Sequence, residues 1–145
     1  MSTITFSSKL PERAAFFKLF ETTGWNTKYH ASAEELANAI AESWAVLSAY
    51  VEDELVGFGR VLCDGSMHAL ILDLIVDPEQ QGQGIGSELL SRLVSRCQQA
   101  GVRDIQLFSA RGKAPFYERH GFRSRPSDSP GMELPAEDGK MPGSP

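Results

Sequence analysis

Three glycines stand at positions 82, 84 and 86, inside the stretch "QQGQGIGS" (80–87). The stretch follows an apolar run and precedes a run with helical periodicity. The first N–H groups of a helix have no partner within the helix, and the helix dipole adds about half a positive charge there. Glycines let a phosphate approach such a backbone closely. The pattern therefore favours a phosphate site over its alternative, a tight strand-to-helix turn.

The glycine spacing excludes two common classes of phosphate site. The dinucleotide fingerprint is G-x-G-x-x-G, and Gly86 falls one position too early to be its third glycine. No Lys followed by Ser or Thr comes after the glycines, so the stretch is not a nucleoside-triphosphate loop. The stretch does fit the pattern Q/R-x-x-G-x-G/A, which here runs from Gln81 to Gly86.

A second motif, "FYERHGF" (116–122), points to a family. It resembles the motif that follows the cofactor motif in the GCN5-related N-acetyltransferase (GNAT) family. The longer string "DLIVDPEQQGQGIGSELL" (73–90) resembles the cofactor motif itself. A helical pattern and a strand pattern lie between the two motifs. The order of elements from residue 3 to residue 134 is also similar to that of the family.

The resemblance implies acetyl-coenzyme A (acetyl-CoA) as co-substrate. Its pyrophosphate would lie on the backbone of residues 81–87, and its pantetheine arm along the strand that ends at Val76. Many relatives carry an Asn shortly before the "FY" pair, but "SARGKAP" (109–115) has none, which leaves Ser109, Arg111 and Lys113 as alternatives for that contact. The implied cofactor-binding residues are Leu74, Ile75, Val76, Gln81, Gly82, Gln83, Gly84, Ile85, Gly86, Ser87, Ser109 and Tyr117.

Acetyl transfer to an amine requires a neutral amine, a stabilised oxyanion and a thiolate that can leave. By the resemblance, Tyr117 faces the coenzyme sulfur and is the candidate acid, and the alternative for it is an aromatic packing role. Asp73 interrupts the apolar run "LILDLIV" (70–76), where an unpaired carboxylate would be costly to bury. Two interpretations of Asp73 stay open. It is a base or an anchor for the acceptor's ammonium group, or it is a carboxylate satisfied by nearby loop N–H groups.

The segment "GWNTKYHA" (24–31) carries two aromatic residues between two helical patterns. In the resembling family this region helps to shape the acceptor pocket, and the alternative is a cover for the core. The candidate substrate-binding residues are Trp25, Tyr29 and Asp73. We expect direct acetyl transfer to a primary amine, a small molecule, in a ternary complex. The alternative function is a non-catalytic acetyl-CoA sensor, but such a module needs neither Tyr117 nor Asp73.

Composition narrows the partners of this 145-residue chain. Its net charge of −5 argues against nucleic-acid and membrane partners, which require a basic surface. The two cysteines and three histidines lack the spacing of metal ligands, so we expect no metal. The first residues contain no apolar targeting segment, which favours a cytoplasmic protein. The oligomeric state is open, with a homodimer among the alternatives.

The remaining patterns predict an α/β fold. Helical patterns cover 11–24, 32–43, 87–101 and 114–120, and strand patterns cover 45–51, 55–63, 68–76 and 103–109. They predict a mixed, mostly antiparallel sheet with one parallel βαβ crossover and helices on both faces. The GNAT resemblance adds a splay between the strands that end near Val76 and Ser109. We expect one domain over 1–134 and a flexible, Pro- and Gly-rich tail over 135–145.

Overall fold

A computed structural model describes residues 3–136, which contain one five-stranded mixed sheet. The strands follow one another across the sheet in chain order, and only the last pair is parallel. This arrangement confirms the predicted fold class. The first strand was not predicted, because "ITFS" is too short to show a clear period. The strands are β1 (Ile4–Ser7), β2 (Ala45–Val51), β3 (Glu54–Cys63), β4 (His68–Val76) and β5 (Asp104–Leu107).

Among the described residues, five helices surround the sheet, and a 3₁₀ turn (Pro78–Gln80) follows β4. A capping box begins the third helix, since Ser32 Oγ accepts from the Glu35 N–H at 3.1 Å and Glu35 Oε1 accepts from the Ser32 N–H at 2.9 Å. One short helix lies within residues 25–31, between two of the predicted helices. The helices are α1 (Arg13–Glu21), α2 (Asn26–Tyr29), α3 (Ala33–Ala41), α4 (Ile85–Gln99) and α5 (Ala114–Arg119).

Helices cover both faces of the sheet, as predicted. Phe16 of α1 packs edge-on against Phe58 of β3, with 4.7 Å between the ring centroids, in a core that also includes residues of α3. On the opposite face, α4 lies very close to β3. A Cβ at Gly59 would fall 2.7 Å from Leu93 Cδ1, so a larger residue there would require the Leu93 side chain to move. Glycine at this position therefore leaves room for a side chain of α4 against the sheet.

The sheet opens between β4 and β5, as the resemblance implied. Their parallel pairing stops at Ile71 and Leu107, and β4 continues to Val76 without β5 beside it. β4 also contains a bulge, because its residues 73 and 74 lie opposite the single residue Gly59 of β3. Asp73 adopts a left-handed backbone conformation there, with φ of 54°. The bulge and the end of pairing leave the last residues of β4 facing a gap.

The predicted tail, 135–145, lies mostly outside the described residues, because the description ends at residue 136. Its flexibility and the domain boundary at residue 134 therefore stay predictions. Within residues 3–136, no helix has both the length and the apolar character needed to cross a membrane.

Candidate functional site

A cleft of about 530 Å³ lies where β4 ends and α4 begins. The last three residues of β4 form one wall, and the glycine loop with the first turn of α4 forms another. The end of α1 and helix α5 complete it. The lining residues are Thr22, Thr23, Trp25, Leu74, Ile75, Val76, Pro78, Gln80, Gln81, Gly82, Gly84, Ile85, Gly86, Ser87, Ala110, Lys113, Phe116, Tyr117 and Arg119.

The glycine loop presents bare backbone to this cleft. Gly82 and Gly84 have φ of 84° and 81°, so the turn itself requires glycine at both positions. A Cβ at either position would meet no atom within 4 Å, which means that the space beside the backbone is open. The first N–H bonded within α4 is that of Glu88, to Gly84 O at 3.0 Å. The N–H groups of Ile85, Gly86 and Ser87 precede that bond and can hold an anion.

Gly86 differs from the other two glycines. It is a helical residue, and a Cβ there would lie at ordinary contact distances, 3.5 Å from Val76 Cγ2 and 3.6 Å from Phe116 Cζ. The loop conformation therefore does not require glycine at this position.

Two cationic residues that were not among the predicted cofactor residues also line the cleft. Lys113 lies just before α5 and Arg119 ends it, so α5 adds positive charge to the cleft. Two predicted residues do not line it. Ser109 Oγ donates to Ala110 O at 2.8 Å, and Gln83 donates to Gln80 Oε1 at 2.8 Å. Lys113 is thus the only one of the three alternatives for the missing Asn contact that lines the cleft.

A second cavity of about 470 Å³ adjoins the cleft. The bulge in β4, the segment around α2 and the end of β5 enclose it. The structure thus brings together the three predicted substrate residues and Tyr117, and the two cavities share Trp25, Leu74, Ala110 and Tyr117. The lining residues are Gly24, Trp25, Lys28, Tyr29, Ile71, Leu72, Asp73, Leu74, Phe108, Ser109, Ala110 and Tyr117.

Tyr117 lies at the junction of the two cavities. Its ring is half-buried and packs edge-on against Phe116 and Phe122, with centroid distances of 5.1 and 6.1 Å. Burial raises the pKa of the Tyr117 phenol above its usual value of 10.0. The hydroxyl therefore stays protonated at neutral pH and is available as a hydrogen-bond donor.

Asp73 forms an ion pair that the sequence did not reveal. Arg60 Nε donates to Asp73 Oδ2 at 2.7 Å, and both side chains are largely buried, with 14% and 22% exposure. The same guanidinium donates to Ala39 O at 3.2 Å, at the end of α3. The carboxylate is therefore satisfied by a guanidinium rather than by loop N–H groups. Arg60 engages Oδ2, and Asp73 also lines the second cavity.

The histidines are dispersed, and residues 3–136 contain no group of three or more His, Cys, Asp or Glu side chains that could hold a metal. His68 is exposed at the start of β4, where its Nδ1 lies 2.9 Å from Asp104 Oδ2. It lines neither of the two cavities. His120 follows α5, and its Nε2 lies 3.0 Å from Oγ of Ser87 in the first turn of α4.

Two curated plant proteins are similar to this chain. One, named GCN5-related N-acetyltransferase 2, chloroplastic, from Arabidopsis thaliana, is 38% identical over 56% of this chain and 31% of its own length. The other, named histone acetyltransferase TAP1, from Glycine max, is 30% identical over 79% of this chain and 53% of its own length. The chain thus spans between about a third and a half of the length of these two relatives.

Solved structures share the fold. A GNAT-family acetyltransferase from Streptococcus pneumoniae matches with a TM-score of 0.79 and 26% identity, over 94% of this chain and 100% of that one. The PaiA N-acetyltransferase from Thermoplasma acidophilum, solved in complex with coenzyme A, matches in fold with a TM-score of 0.70 and 20% identity. The match covers 85% of this chain and 91% of that one. The family profile described as acetyltransferase (GNAT) domain matches residues 11–131. The chain therefore belongs to the GNAT family of acetyltransferases.

Proposed function

We propose that this protein is an N-acetyltransferase that transfers the acetyl group of acetyl-CoA to a small primary amine. The observation that carries the proposal is the junction of two cavities at Tyr117. One cavity has the bare backbone and positive charge that suit a pyrophosphate, and the other has the aromatic wall and carboxylate that suit an amine. The use of acetyl-CoA by the GNAT family gives independent support to this assignment.

The cleft fits acetyl-CoA in three respects. The N–H groups of the glycine loop and the first turn of α4 would hold the pyrophosphate. Lys113 and Arg119, which line the same cleft, would balance its charge. The edge of β4 that faces β5 is unpaired beyond Ile71, and there the end of β4 would offer backbone hydrogen bonds to the amides of the pantetheine arm. The bound molecule supplies an activated acetyl group as a thioester.

The transfer forms one C–N bond and breaks one C–S bond. The neutral amine attacks, its nitrogen gives up one proton to solvent, and the sulfur leaves as a thiolate that takes up one proton to become the free thiol. Tyr117 donates a hydrogen bond to that sulfur, since its hydroxyl is protonated and lies between the two cavities. Full proton transfer from a phenol to a thiolate is uphill by about 1.5 pKa units, or about 2 kcal/mol, on the reference values. Tyr117 therefore acts chiefly by stabilising the departing sulfur.

The second cavity favours an amine with an apolar or aromatic body. Trp25, Tyr29 and Phe108 line it, and the Asp73 carboxylate can accept a hydrogen bond from the ammonium group. Arg60 balances the charge of Asp73, so we assign Asp73 to orienting the acceptor rather than to removing its proton. Replacement of Trp25 by Ala should change kcat/KM by about tenfold for aromatic amines and by about twofold or less for the smallest amine. A uniform change across the amines would contradict the assignment.

Amine-dependent release of free thiol from acetyl-CoA tests the proposed function. The panel should contain aliphatic and aromatic amines, and also a lysine peptide, because the soybean relative is named a histone acetyltransferase. We expect turnover with at least one small amine and the acetylated amine in the mass spectrum. Turnover with the peptide alone would move the acceptor to a protein lysine. Tight binding of acetyl-CoA without turnover on any amine would support the sensor instead.

A further inference from the structure

Ser87 and His120 form a side-chain hydrogen bond between the start of α4 and the end of α5, the two helices that flank the cleft. Ser87 belongs to the first turn of α4 and lines the cleft, whereas His120 follows α5 and lies on the wall of a separate groove behind it. His120 Nε2 lies 3.0 Å from Ser87 Oγ, and its ring lies 5.0 Å from the Phe116 ring. The imidazole therefore reaches the cleft only through the serine hydroxyl.

The hydrogen on His120 Nε2 decides what Ser87 presents to the cleft. A hydroxyl has one hydrogen to donate and two lone pairs to offer. If Nε2 carries no hydrogen, it accepts the hydroxyl hydrogen, and the cleft meets the lone pairs of Oγ. If Nε2 carries a hydrogen, it donates to Oγ, and the hydroxyl hydrogen is free to point elsewhere. An anion in the cleft is stabilised only by the second arrangement.

We propose that His120 is a positioning residue for the pyrophosphate site: its Nε2–H donates to Ser87 Oγ, so that the hydroxyl donates to a phosphate oxygen. This inference rests on the proposed function, because it concerns the same cleft. His120 touches neither substrate. Its effect is to fix the direction of one charge-assisted hydrogen bond at the start of α4.

Three substitutions of His120 separate the hydrogen bond from packing. The His120→Gln variant has an amide N–H at a reach similar to that of Nε2, whereas the Asn variant carries the same amide on a shorter stem. The Phe variant keeps a ring against Phe116 and removes the donor. Calorimetric titration with coenzyme A should give a Kd within about twofold of wild type for Gln, and about tenfold weaker for Asn and Phe. With an amine acceptor, KM for acetyl-CoA should rise in Phe while kcat stays within about twofold.

A double-mutant cycle with Ser87→Ala gives the deciding result. If His120 acts through Ser87, the His120→Phe change should have no further effect on the Kd in the Ser87→Ala background. Dephospho-coenzyme A keeps the pyrophosphate and lacks the 3′-phosphate. The His120→Phe change should weaken its binding by the same factor as the binding of coenzyme A. The inference is overturned if wild type and the His120→Phe variant bind coenzyme A with equal Kd values, or if the losses of affinity in the cycle are additive. It is also overturned if the variant loses affinity for coenzyme A but not for dephospho-coenzyme A. Absence of coenzyme A binding to wild type would instead refute the proposed function.

Discussion

Replacement of Gly84 by Ala tests whether the glycine loop is a phosphate site or only a turn. Gly84 has φ of 81°, and its added Cβ would meet no protein atom within 4 Å. The cost to the fold is therefore conformational alone, about 1–2 kcal/mol for an L-residue in the left-handed region. For a chain of this size, that cost should lower the Tm by about 2–8 °C. The cost to binding is separate, because the Cβ would enter the open space beside the loop N–H groups.

Gly101 provides a matched control at the other end of α4. It has φ of 75°, its Cβ would also meet nothing within 4 Å, and it does not line the cleft. Gly84→Ala and Gly101→Ala should therefore lower the free energy of unfolding, measured in urea, by similar amounts. Only Gly84→Ala should weaken coenzyme A, by tenfold or more, because hydrogen bonds to a charged group contribute about 1.5–3 kcal/mol each. If calorimetry gives the same Kd for both variants, the loop is a turn and the phosphate assignment is wrong.

Three further perturbations act on other parts of the site and fold. Asp73→Asn should lower the free energy of unfolding by about 2 kcal/mol, because it leaves the largely buried Arg60 without its counter-ion. This value lies between those for exposed and buried ion pairs, and the backbone adds little to it because Asn tolerates the positive φ. A loss under about 0.5 kcal/mol in urea would contradict this expectation. Tyr117→Phe should lower kcat by up to about a hundredfold, because it removes a hydrogen bond to the charged departing sulfur, and should leave the Kd of coenzyme A within a few-fold. Near-normal turnover would return Tyr117 to a packing role. The hydrogen bond to Asp104 raises the pKa of His68. This pair therefore stabilises the fold below about pH 6.5, and the stabilisation is lost as the pH rises through the raised pKa. If NMR shows the same titration of His68 in the Asp104→Asn variant, the hydrogen bond is not the cause.

Segments with a clear hydrophobic period and turn residues at their ends could be predicted closely from the sequence. The strands over 45–51 and 68–76 have the predicted bounds, because turn residues flank each apolar run. The helix predicted over 87–101 is present as α4, and its apolar residues are buried, at Leu89, Leu93 and Cys97 among others. The helix begins two residues earlier than predicted, at Ile85, because Gly84 takes the left-handed conformation that lets the chain turn directly into it.

Contacts between residues far apart in the sequence could not be predicted, because they depend on strand register and on how whole helices pack. Arg60 and Asp73 are 13 residues apart, and they meet because the bulge in β4 shifts its pairing with β3. Ser87 and His120 are 33 residues apart, and they meet because α5 packs beside the start of α4. No local pattern encodes such a distance, since it arises from the packing of whole elements. The positive charge of Lys113 and Arg119 in the cleft has the same origin.

A crystal structure with coenzyme A bound tests the central claim most directly. We predict that the pyrophosphate oxygens lie within about 3 Å of backbone nitrogens between residues 82 and 87. We also predict that the pantetheine arm follows Leu74–Val76 and that the thiol lies beside the Tyr117 hydroxyl, at the mouth of the cavity lined by Asp73. A pyrophosphate bound outside the glycine loop, or a thiol directed away from Tyr117 and that cavity, would contradict the claim.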